Sequence, residues 1–153
     1  MTSLFHIPST SVALTASATK SLVLVDAGVN EIEVVKFGVF FDAEADLAGI
    51  RAELYRVTTI GTPAGTTTTP TKVKEASGAA DATSLTNLTT EPTAVEVIGG
   101  PYFVRPDGGG IEIANPLGDE ETQRTATDGR IGLRVITPAA VTPNAVAFIR
   151  IRE

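Results

Sequence analysis

The chain has 153 residues, no cysteine, no tryptophan and a net charge of −6. Those counts exclude disulfides, thiol nucleophiles and Cys-ligated zinc, and they speak against a polyphosphate partner, which needs a clustered cationic face. A chain of this length makes one domain that can bury about 68–70% of the surface its unfolded form exposes. With 42% hydrophobic but only 5% aromatic residues, Val, Ile, Leu and Ala must fill the core, and the β-branched ones favour strands.

Residues 1–10 read as an N-terminal arm ahead of a sandwich domain at 11–153. They hold no basic stretch followed by an apolar run, and no segment approaches the ~18 apolar residues of a membrane span. His6, the sole imidazole, lies between Phe5 and Ile7 with no acidic orienter nearby. A hydrolytic triad would have to use it, and an exposed or packed arm residue is the better account.

Residues 11–16 and 21–25 have the composition of short strands, the second an unbroken Leu22-Val23-Leu24-Val25 run suited to burial on both faces. Residues 26–30 are a turn. From 31 to 42 the alternation changes phase: Ile32 and Val34 share one parity while Val35, Phe37, Val39 and Phe41 share the other, which predicts a β-bulge near Val34 and Val35. Residues 44–58 read as a loop and then a strand. Asp42, Glu44, Asp46 and Glu53 have the spacing of a calcium loop, but Leu47 stands where that loop needs glycine, so a solvated acidic turn is expected.

Residues 60–90 are rich in Thr, Ala and Gly and read as a long connection, with a strand hinted only near Lys72 and Val73. Strand patterns resume at 93–98, 102–105 and 110–114. Gly99-Gly100-Pro101 separates the first two, and Pro106-Asp107-Gly108-Gly109 reads as a hairpin turn rather than a phosphate loop, since no Lys-Ser or Lys-Thr and no helix follow. Asp119, Glu120 and Glu121 lie in a polar loop, where adjacent carboxylates face solvent.

At 130–138, Ile131, Leu133 and Val135 alternate with Arg130, Gly132 and Arg134. At 145–153, Ala147, Ile149 and Ile151 alternate with Phe148, Arg150 and Arg152. Both are strands with one buried face, joined by a Pro-bounded turn, and the last is expected in the middle of a sheet. Phe148, Arg150 and Arg152 share the other face and, with Arg130 and Arg134, are candidates for an interface or for a salt-bridged surface. Eight or nine short strands punctuated in this way predict an all-β, single-domain antiparallel β-sandwich of jelly-roll type. No catalytic residue, cofactor-binding motif or metal-ligand set emerges.

Several segments in order carry a resemblance: Ser11-Val12-Ala13-Leu14 followed by Lys20, Phe40-Phe41-Asp42, Thr90-Glu91-Pro92-Thr93, Pro106 with its following glycines, Pro116-Leu117-Gly118-Asp119, and Leu133-Arg134-Val135-Ile136-Thr137-Pro138-Ala139-Ala140-Val141. Through them the chain resembles small all-β bacteriophage virion proteins of the capsid decoration, or cement, type. The resemblance implies a non-enzymatic homotrimer on the outer surface of a phage head, made in the host bacterial cytoplasm. Its partners would be the major capsid protein and itself, with no nucleic acid, membrane or cofactor.

In that setting Leu4, Phe5 and Ile7 of the arm would lie over a neighbouring subunit or the capsid floor, and removing residues 1–10 would weaken capsid binding while the sandwich stays folded. A tail or head-fibre module that recognises a host-surface glycan is the alternative, although Tyr55, Tyr102 and a few Phe are a thin supply of sugar platforms. An enzyme comes third.

Overall fold

A computed structural model describes residues 3–42, 48–59, 61–73, 78–114 and 129–153, together with the backbone of 123–125. Of the acidic turn expected at 42–46 only Asp42 falls within these residues, and of the polar loop expected at 116–127 only 123–125, which is a strand. The described residues form thirteen strands and no helix. They are β1 (Leu4–Pro8), β2 (Val12–Ala13), β3 (Thr19–Asp26), β4 (Ile32–Phe41), β5 (Ile50–Thr59), β6 (Ala64–Thr68), β7 (Thr71–Lys72), β8 (Thr83–Thr90), β9 (Ala94–Val104), β10 (Gly110–Ala114), β11 (Gln123–Thr125), β12 (Arg130–Ile136) and β13 (Asn144–Arg152).

The strands pair from the outside of the sequence inward. Strand β1 pairs with β13, β3 with β12, β4 with β10 and β5 with β9, all antiparallel. Because β13 also pairs with β4 and β12 with β5, the nest folds over into two layers. Sheet A runs β10-β4-β13-β1-β7, and sheet B runs β6-β8-β3-β12-β5-β9. Eight of the strands thus make a jelly roll, the sandwich expected from the sequence. Strands β2, β6, β7, β8 and β11 are additions at its margins.

The alternating patterns fix what lies between the layers. Sheet A contributes Phe5, Ile7, Val34, Phe37, Val39, Ile149 and Ile151, and sheet B contributes Val23, Val25, Leu54, Ile131, Leu133 and Val135, all buried in one cluster. The phase change in β4 has the expected cause. Arg150 pairs with Lys36 but Ile151 pairs with Val34, so Val35 is skipped as a bulge and the inward parity switches there. Leu22–Val25 is buried on both faces because Val23 and Val25 enter the main core while Leu24 joins Tyr55 and Leu88 in a second cluster on the outer side of sheet B.

Four readings are corrected. Within the segment read as an arm, residues 4–8 are a strand inside sheet A, with β13 on one side and β7 on the other. The connection at 60–90 contains β6, β7 and β8, since its threonines are β-branched and Ser84 and Thr86 pair inward against Val25 and Val23. Strand β9 runs through Gly99-Gly100-Pro101 and absorbs the irregularity as register shifts against β5. Residues 106–109 form a turn, but β9 belongs to sheet B and β10 to sheet A, so it crosses between layers instead of closing a hairpin.

Candidate interaction face

The outer face of sheet A is built by residues whose parity opposes the core. On β13 these are Val146, Phe148, Arg150 and Arg152; opposite them on β4 stand Phe40, Gly38, Lys36 and Glu33, and on β1 stand Pro8, His6 and Leu4. The rings of Phe40 and Phe148 stack at a centroid distance of 6.4 Å, and His6 lies 5.3 Å from Phe148. Phe40 is 38% exposed and Val146 39%.

Two glycines let these rings lie close to the sheet. A Cβ at Gly38 would come within 2.7 Å of the Phe148 ring, and one at Gly110 would collide with Phe40. Each phenyl ring therefore lies across a bare backbone on the neighbouring strand. That position limits its rotamers, so little side-chain entropy remains to be lost when a partner covers it.

Charged groups border the rings. Lys36 pairs with Glu112 on β10, and Arg152 Nη1 lies 2.7 Å from Glu33. Arg150 Nε donates to His6 Nδ1 at 3.5 Å. Burial, and then the Arg150 charge, hold the His6 pKa below its ordinary value, so the neutral ring that accepts this bond is favoured.

The six residues singled out from the sequence divide. Phe148, Arg150 and Arg152 share the outer face with half-buried Leu4. Phe5 and Ile7 are core residues, 1% and 0% exposed, so in this fold their side chains do not reach a neighbour. Phe40 and His6 were missed. The phase of β4 could have found Phe40, which has the parity opposite to Phe37, Val39 and Phe41. His6 becomes part of the face only through the β1–β13 pairing.

Arg130 and Arg134 lie on the other layer, where Arg130 Nε is 2.6 Å from Asp26 and Arg134 is 2.8 Å from Glu53. Glu53, a member of the expected calcium spacing, is thus buried beneath arginine, while Asp42 accepts bonds from the Asn144 backbone and amide. No group of three or more His, Cys, Asp or Glu side chains that could hold a metal occurs among the described residues.

The class established by this geometry is an all-β jelly-roll sandwich with a cluster of rings on the outer face of one sheet. No family model matches the chain, and no curated protein matches its sequence. Among solved structures, a chain from infectious bursal disease virus strain Gx aligns over 99% of this chain at 11% identity, with a TM-score of 0.25. A chain of the T13 particle of that virus aligns over 99% at 7% identity, with a TM-score of 0.15. This chain spans 42% and 38% of those two chains. Likenesses of this size carry no functional argument.

Proposed function

We propose that the chain is a non-enzymatic virion structural protein, a capsid decoration protein that sits on the outer head surface and stabilises the shell through noncovalent contacts between capsomers. The observation that carries this reading is the outer face of sheet A, where Phe40, Phe148 and His6 form a row of ring contacts bordered by ion pairs. Buried aromatic anchors inside a polar rim are how protein interfaces concentrate their binding energy. Jelly rolls host many functions, so the fold alone does not decide among them.

The partners under this reading are the major capsid protein and further copies of the chain. A homotrimer would repeat one contact by symmetry, which a single sequence specifies economically. Serum raised against the recombinant chain, applied with gold-labelled antibody to intact virions, tests the location. Label spread over the head supports decoration. Label confined to the tail tip or fibres favours the alternative glycan-binding module, and unlabelled virions reject both.

A further inference from the structure

The register of sheet B gathers a second set of groups on its outer side, remote from the rings of sheet A. Leu24 pairs with Leu85, and Leu85 with Thr67, so these three form one row across β3, β8 and β6. Asp26 pairs with Thr83 on one side and Arg130 on the other, forming the next row. Gly61, Thr62 and Pro63 stand beside the two rows and close a cleft of about 510 Å³. That lies within the roughly 300–1,000 Å³ of small-molecule sites.

The wall is fixed in place. Gly61 has φ +55°, and a Cβ there would collide with the Thr93 hydroxyl, so the 61–63 segment is held closely against the start of β9.

Its chemistry narrows the ligand. Asp26 Oδ2 receives Arg130 Nε at 2.6 Å, and its Oδ1 receives the Gly28 amide at 3.2 Å. Among the described residues that line the cleft, Asp26 and Arg130 are the charged pair and offset each other, so a neutral ligand suits them better than an ionic one. Both remain good hydroxyl partners: a carboxylate has about four acceptor sites and a guanidinium five donors, more than these contacts use. The exposed Thr67 and Thr83 place two hydroxyls beside them, and half-buried Leu85, seated over buried Leu24, supplies the apolar floor.

We propose that this cleft binds a small neutral saccharide, a mono- or disaccharide whose C–H face rests on Leu85 while its hydroxyls meet Asp26, Arg130, Thr67 and Thr83. This site is separate from the sheet A face and does not depend on a virion location.

The test is amide NMR of the full chain titrated with neutral sugars: glucose, galactose, mannose, N-acetylglucosamine, lactose and maltose. Glucuronic acid and glucosamine serve as charged controls. At least one neutral sugar should bind in the millimolar range, shifting amides at Leu24, Asp26, Thr67, Thr83, Leu85 and Arg130, with the charged sugars weaker. Thr67→Lys, which fills the cleft, should abolish the shifts, and Thr83→Val should weaken binding about 10-fold, the size of one hydrogen bond. Both positions are exposed, so both variants should keep the parent spectrum elsewhere. Absence of binding by every neutral sugar, shifts that map outside the cleft, or shifts indifferent to Thr67→Lys would overturn the proposal.

Discussion

Strand β1 offers a quantitative test of the fold, because the sequence reading makes residues 1–10 dispensable and the structure does not. Phe5 and Ile7 are 1% and 0% exposed, and five residues of β1 pair with β13. Truncating such a phenylalanine to alanine costs about 3–5 kcal/mol, and such an isoleucine about 2–5. Domains have only ~5–15 kcal/mol in total. Near this chain length each kcal/mol moves Tm by roughly 2–4 °C, so Phe5→Ala should lower Tm by roughly 6–20 °C.

Deleting residues 1–10 removes both side chains and the β1 ladder, and should abolish the cooperative transition. Thermal unfolding followed by far-UV circular dichroism reads both effects, with Phe103→Ser, at a residue 74% exposed, as the control, expected to lose less than about 1 kcal/mol. A Phe5→Ala Tm within a degree or two of the parent, or a deletion variant with an intact transition, would refute the placement of β1 in the core.

Other outcomes follow from particular contacts. Gly132→Val should destabilise by about 1–3 kcal/mol in urea titrations, because a Cβ at that position collides with the Tyr55 ring lying across it. Glu53→Gln should cost about 1–3 kcal/mol, since Arg134 approaches its carboxylate with Nε and Nη2, both at 2.8 Å, in a site where Glu53 is 3% exposed. That loss should persist at high salt, where an exposed pair would be screened. His6 has its pKa held below 6.5 by burial and by Arg150, so its contribution is fully present above pH 6.5. The contribution is lost as pH falls through the lowered folded pKa and levels off below it. His6→Gln should flatten that limb of the stability–pH curve, measured as the urea midpoint between pH 7 and pH 4.

What the sequence made legible was local patterning. The alternation at Ile131, Leu133 and Val135 and at Ala147, Ile149 and Ile151 named the inward faces of β12 and β13, and the phase change beside Val35 located the β4 bulge. Pairing partners were not legible, since β1 meets β13 and β3 meets β12 across most of the chain. For that reason Phe5 and Ile7 read as outward apolar residues of an arm, and His6 could not be placed beside Phe148. The same limit hid the cleft, whose Asp26, Thr83 and Arg130 meet only through two long-range pairings. Residues 60–90 were misread for another reason: Thr-rich segments at a sheet margin lack the apolar alternation that marks a half-buried strand.

The claim that sheet A docks on a capsid is tested most directly by reattachment to heads that lack the chain. Purified protein would be added to such heads and the bound fraction measured by co-sedimentation. The parent should bind and raise the temperature at which the heads break open. A Phe40→Ser, Arg150→Glu double variant, folded by circular dichroism, should bind at least 10-fold more weakly. Equal binding by parent and variant would show that another surface makes the contact, and failure of the parent to bind any head would contradict the decoration role itself.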